Sequence, residues 1–92
     1  MNTVHARYRA SPDALATRVG DEIVLVNVKT DQIYSLNGTA ARLWELITSD
    51  RDRADVERCM MMEFDVAVAE LTEAIDDVVR SLTRDGLLVP SL

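Results

Sequence analysis

The run from Leu25 to Leu46 leaves this chain little freedom in how it folds. It reads as a strand, a tight turn, a second strand and a capped helix with no residue to spare. Glu22 to Val28 is β-branched and apolar, with Ile23 and Leu25 on one face and Val24, Val26 and Val28 on the other. A strand apolar on both faces is predicted to be central. Lys29-Thr30-Asp31 turns the chain. Gln32 to Leu36 is the next strand, with Tyr34 and Leu36 on one face and Ile33 and Ser35 on the other. Asn37 or Thr39 is placed to cap the helix that follows. In that helix Ala40, Leu43, Trp44 and Ile47 fall at i, i+3, i+4 and i+7, the spacing of a core-facing stripe.

The flanking segments complete the pattern. Leu15, Thr17 and Val19 alternate with smaller or polar residues, and Gly20-Asp21 joins this short strand to Glu22 as a tight hairpin. Residues 1–12 show no periodicity and end in a Ser-Pro-Asp turn signal, which predicts a loose N-terminal arm. A second helix is expected from about Asp52 to Glu63. A third is expected from an Asp65 cap to about Asp85, stopped by Gly86. Leu87-Leu88-Val89 before Pro90 is then a short extended tail against the body. The predicted class is α+β: a three-stranded antiparallel sheet followed by three helices, in one domain spanning residues 1–92.

Several function classes fail on composition and motif. The formal net charge is −6, opposite to what a nucleic-acid binder uses to displace counterions from phosphate. No apolar run approaches the ~20 residues needed to span a bilayer, and no signal peptide precedes the body. With its single cysteine, Cys59, the chain forms no internal disulfide, so a reducing, cytoplasmic setting is expected. His5, the one histidine, has no Cys or second His beside it, so no metal or cofactor is expected. Cys59 reads as a buried structural thiol, Trp44 as core, Met60-Met61-Met62 as core with a partly exposed neighbour, and Asp76-Asp77 as a solvated face. There is no Gly-rich phosphate loop, no His-Glu-x-x-His and no Gly-x-Ser-x-Gly, so the chain is not expected to be an enzyme.

Two features point instead to a binding surface. A three-strand meander leaves Gln32–Leu36 at an edge; unless a helix or the N-terminal arm covers it, its free N–H and C=O groups invite another strand. That segment has no Pro, Lys or acid to blunt it, which suits β-augmentation by an extended peptide. In the third helix Ala74, Val78, Leu71, Leu82, Ile75, Val68 and Val79 span an arc of roughly 140°, wider than the ~100° a core-facing stripe needs. The excess fits either a flank that serves a ligand or a small domain that wraps more of its helix, and the width alone does not choose between them.

Tyr34-Ser35-Leu36-Asn37, then Ala40-Ala41-Arg42-Leu43-Trp44, then Leu82-Thr83-Arg84-Asp85-Gly86-Leu87-Leu88 occur in the order and spacing of the PqqD-like family of peptide-recognition domains, and the chain resembles that family over roughly residues 14–89. The resemblance implies a winged helix-turn-helix-like fold. It also implies recognition of the leader of a ribosomally made, later modified precursor peptide, added as a strand beside Gln32–Leu36 and packed on the third helix. The candidate peptide-binding residues are Gln32, Ile33, Tyr34, Ser35 and Leu36 with Leu71, Ala74, Ile75, Val78, Val79 and Leu82. Tyr34 or Ile33 is expected to line the pocket, the strand face being open at this point. The implied partners are the precursor and a processing enzyme. In the lasso-peptide branch that enzyme is a leader peptidase; the alternative is a peptide chaperone in pyrroloquinoline quinone biosynthesis. Asp31 stands where many family members have Gly, which leaves the turn type and the register near Gln32 open. A DNA-binding winged helix and a structural subunit without a peptide ligand are the competing classes. From Ala67 to Asp85 the third helix carries Glu70, Glu73, Asp76, Asp77 and Asp85 against Arg80 and Arg84, a balance that a DNA groove repels.

Overall fold

The computed structural model describes residues 6–91. His5 lies outside the described residues. The elements run β1 (Tyr8–Ala10), β2 (Ala14–Val19), β3 (Glu22–Asn27), β4 (Gln32–Leu36), α1 (Gly38–Ile47), α2 (Arg53–Glu63), α3 (Val68–Arg84) and β5 (Leu88–Pro90). Three strands form an antiparallel meander in the order β2-β3-β4, and β1 pairs with β5 in a separate two-stranded sheet. The expected α+β architecture of meander followed by three helices is what the chain adopts.

Local chemistry places each element. Gly20 takes φ +63 in the β2–β3 turn, and the register Val19↔Glu22 makes this a two-residue hairpin. β3 lies between its neighbours and turns Ile23, Leu25 and Asn27 into the interior. It ends one residue earlier than expected, and Val28 is exposed in the turn. Asp31 adopts φ +60, a left-handed position that Asp tolerates far better than most residues. The glycine expected there by family resemblance is therefore dispensable, and the ladder holds through Asn27↔Gln32.

The helices close the core. α1 packs on β3 and β4, with Leu43, Trp44, Leu46 and Ile47 buried. Ala41 rather than Ala40 is the fully buried small residue of that face. Asn37 is the α1 N-cap by backbone position, and its side chain makes no capping hydrogen bond. In α2 the Asp52 carboxylate caps the Asp55 N–H at 2.9 Å. Met60 is buried whereas Met61 and Met62 are exposed, and Cys59 is half-buried.

Three further expectations need correction. Asp65 does not cap α3: the helix starts at Val68 behind Ala67, because the connection is extended at Phe64 and Ala67 and packs Phe64 and Val66 against the core. The described part of the N-terminal arm is not loose. Tyr8–Ala10 forms a ladder with Leu88–Pro90, and Tyr8 packs on the core. A three-residue strand carries no periodicity of its own, and its partner lies at the other end of the chain. Asp76 is not a merely solvated acid. It pairs with Arg53, whose guanidinium also meets Glu57 and donates to the Thr72 carbonyl.

α3 ends in a full Schellman turn. The Leu87 N–H donates to the Leu82 carbonyl at 2.8 Å, the Gly86 N–H to the Thr83 carbonyl at 3.2 Å, and Gly86 sits at φ +77. This delivers Leu87 and Leu88, both buried, to the core and starts β5. No helix among the described residues is long and apolar enough to cross a membrane.

Candidate functional site

β4 has β3 on one side and no strand on the other among the described residues. Alternate residues of an antiparallel edge strand direct their N–H and C=O groups outward, where no backbone group among the described residues bonds them. Alongside this edge runs the C-terminal half of α3. Between the two lies an open groove of about 360 Å³. Its apolar part comes from Leu36 on the strand and from Val78 and Leu82 on the helix. Tyr34, Asp77, Ser81, Arg84 and Asp85 complete it. Residues 77, 78, 81, 84 and 85 share one helical stripe by the i, i+3, i+4 rule, which is why one flank of α3 supplies the whole wall.

The polar end of the groove is organised around Asp85, the α3 C-cap. Arg84 donates from Nε to Asp85 Oδ1 at 3.2 Å and from Nη2 to Oδ2 at 3.4 Å. That contact, and then the Tyr34 hydroxyl, hold the Asp85 carboxyl below its ordinary range. In return the hydrogen bond to Asp85 pushes the Tyr34 phenol up. The Tyr34 hydroxyl also lies 3.3 Å from Gln32 Oε1. At the other rim Arg80 Nη1 donates to Asp77 Oδ1 at 3.1 Å. The groove thus has an apolar floor and internally neutralised charges. It suits side chains that are apolar with at most a polar tip. Among the described residues no three His, Cys, Asp or Glu side chains cluster to hold a metal ion.

The residues named from the sequence separate into three groups. Tyr34, Leu36, Val78 and Leu82 line the groove, and Gln32 contacts the Tyr34 hydroxyl at its end. Ala74 is exposed one turn before Val78 on the same stripe. The remaining five direct their side chains elsewhere, although the backbone of Ile33 and Ser35 belongs to the open edge. Ile33 is 70% exposed, and with Ser35 it stands on the opposite face of β4, so of the two candidate strand residues only Tyr34 reaches the groove. Ser35 donates to Glu22 Oε1 at 2.9 Å on that outer face. Leu71 and Ile75 are closed into the core, Ile75 at 1% exposure. Val79 lies on the far flank of α3, in a small cleft with Tyr8, Ile47 and Val56. The 140° stripe therefore divides into a core-facing centre and two flanks, of which the Val78 flank meets β4.

Residues 22–88 match the profile of the family described as coenzyme PQQ synthesis protein D (PqqD). The chain belongs to the PqqD family. Two solved structures share its fold. One, TbiB1 in complex with the TbiA(beta) leader peptide, superposes with a TM-score of 0.81 at 21% identity, covering 87% of this chain and 93% of that one. The other, lasso peptide synthetase B1 complexed with the leader peptide, has a TM-score of 0.82 at 24% identity, with 91% and 99% covered. No curated protein sequence matches the chain. Sequence reasoning missed Asp77, Ser81, Arg84 and Asp85 of this PqqD-family groove, although their spacing from Val78 already placed them on one stripe. It also passed over Asn27, a polar residue at an inward position of an apolar strand.

Proposed function

We propose that this PqqD-family protein binds the leader segment of a ribosomally made precursor peptide as an added strand along β4 and presents it to a processing enzyme. The enzyme proposed is a leader peptidase of lasso-peptide type. The observation that carries the reading is the undefended edge of β4 beside a groove that takes side chains from one face of an extended peptide. Shared fold with two solved leader-peptide complexes supports it. A quinone-cofactor peptide chaperone would use the same groove with a different precursor. DNA binding is disfavoured further, because both cations of the acidic α3, Arg80 and Arg84, are already paired with acids of the same helix region.

Presentation needs a second surface, and the outer face of the sheet offers one. Leu15, Val26 and Ile33 form a cross-strand row on that face. Leu15 is 58% and Ile33 70% exposed, with Val19 and Val28 exposed nearby. An apolar row of this kind is where the processing enzyme is proposed to dock.

The test is a titration with a synthetic candidate leader, the N-terminal segment of any short open reading frame found beside the chain's own gene. About four to six backbone hydrogen bonds at a net ~1 kcal/mol each, and two seated side chains at ~1.5–3 each, give a gross ~7–12 kcal/mol before ordering costs. Micromolar to tens-of-nanomolar affinity follows. Proline placed in turn at each leader position should weaken binding at alternate, ladder-forming positions. Uniform tolerance of proline would exclude strand addition.

A further inference from the structure

Asn27 and Ser11 are the buried polar side chains among the described residues, and Asn27 is 4% exposed. The inward row of β3 runs Ile23, Leu25, Asn27, so a core-facing position is given to an amide. Burying an amide costs free energy unless its donor and acceptor are matched. Both ends are matched here. Oδ1 accepts from the backbone N–H of Lys29 at 3.0 Å and of Thr30 at 3.3 Å, and Nδ2 donates to the Asp85 carbonyl at 2.9 Å. The opposite amide orientation would set donors against N–H groups and an acceptor against a carbonyl, so the network fixes the orientation.

The two ends of this side chain serve different elements. Oδ1 secures the turn that launches β4; Nδ2 secures the C-cap of α3. These are the two walls of the groove. Gly86 supplies an independent sign of the same joint: a Cβ there would come within 3.0 Å of Asn27 Nδ2. Capping the turn alone would not require the amide, because Asp or Ser caps such turns through an oxygen. The donor is what ties β4 to α3.

We infer that Asn27 is the positioning residue of the peptide groove, holding the start of β4 at a fixed distance from the last turn of α3 and so setting the groove's width at its Tyr34–Asp85 end before a peptide arrives. This rests on reading the groove as the leader site. A wall already held in place spares the ligand the loss of ordering it, and affinity rises accordingly.

Asn27→Asp separates the two ends. It keeps the acceptor for Lys29 and Thr30 and puts a second acceptor against the Asp85 carbonyl. With that candidate leader as probe, its Kd is expected to rise roughly tenfold. Double-mutant cycles with alanine substitutions along the leader should concentrate the coupling on the peptide residue seated against Tyr34 and leave little on the one seated against Val78. Wild-type affinity in N27D, or a loss spread evenly along the peptide as a purely structural role would give, overturns the inference while the groove reading stands. Backbone shift mapping of the wild-type protein that leaves β4 untouched overturns the groove reading itself, and the inference with it. If N27D does not fold, the wild-type protein decides. By linkage, a tie that raises peptide affinity is held more firmly in the complex, so hydrogen exchange at Asn27 Nδ2 should slow on saturation with leader. Unchanged exchange refutes the inference.

Discussion

Val78 and Val79 are neighbours in sequence and face opposite flanks of α3, and this gives a sharp test of where the ligand sits. Val78 is half-buried beside Leu36 and Leu82. A valine fully removed from water gains ~1.5–3 kcal/mol, so its uncovered half leaves about 1 kcal/mol for a seated peptide side chain to collect. Val78→Asp forfeits that and places a carboxylate under the peptide next to Asp77. Covering an unpaired charge at an open-ended site adds about 2 kcal/mol more. The sum, about 3 kcal/mol, is roughly a hundredfold in Kd. The control is Val79→Ala. It removes methyls from the cleft beside Tyr8 and Ile47 at about 1 kcal/mol of stability, with leader affinity within about twofold of wild type. The assay is calorimetric titration with the leader. Trp44, buried in the core and the sole tryptophan, reports by its fluorescence whether each variant is folded. Folded V78D that binds like wild type, or V79A that loses as much affinity as V78D, would refute the placement of the peptide on the Val78 flank.

Three further outcomes follow. The Tyr34 phenol is raised above its ordinary 10.0, so its contribution to stability is complete below that value and is lost as pH rises through the folded value. Asp85 is lowered from 3.8, so its contribution is complete above that value and is lost as pH falls through the folded one. Melting temperatures attributable to this pair should therefore be flat from about pH 5 to 9, and Tyr34→Phe should remove part of the alkaline loss; an alkaline limb unchanged in Y34F would contradict the contact with Asp85. Leu15→Lys, on the strand farthest from the groove, should leave leader affinity within about twofold and stability within about 0.5 kcal/mol, while abolishing capture of the processing enzyme; full processing by L15K would remove the outer sheet face from the interface. Leader binding should change little between roughly 50 and 300 mM salt, because apolar anchors and a backbone ladder carry no net charge; tight duplex DNA binding that falls steeply with salt would reverse the functional assignment.

The sheet and the helices were legible in the sequence because period and punctuation agreed: β-branched strands two residues apart at Gly20-Asp21, an apolar stripe at i, i+3, i+4 in α1, and Gly86 closing α3. What stayed hidden depends on contacts between distant segments. β1 exists only through its ladder with β5. The late start of α3 depends on Phe64 and Val66 finding the core. The face of β4 that meets the groove could not be chosen between Ile33 and Tyr34 from the strand alone, because alternation fixes which residues go together and leaves open which set goes in. The same limit applied to α3. A wheel shows how wide the apolar arc is, yet it cannot say that Ile75 is sealed by α2 and α1 neighbours while Val78 is left at an open flank.

The β1–β5 ladder bears on the order in which this molecule assembles. Each strand of the meander pairs with its neighbour along the chain, so the loops that must close are short and their entropic cost is small. Tyr8↔Pro90, continued by the Ser91 N–H donating to the Arg7 carbonyl, joins the two ends of the described chain, and that closure carries the largest loop penalty in the fold. It also brings Leu88, a core residue, to its place opposite Ala10. The sheet that offers the β4 edge is therefore built from local pairings, whereas the seam at the end of α3 is expected to form late and open first. Amides of Arg9 and Val89 should accordingly exchange through a smaller, earlier opening than those of Leu25 and Tyr34.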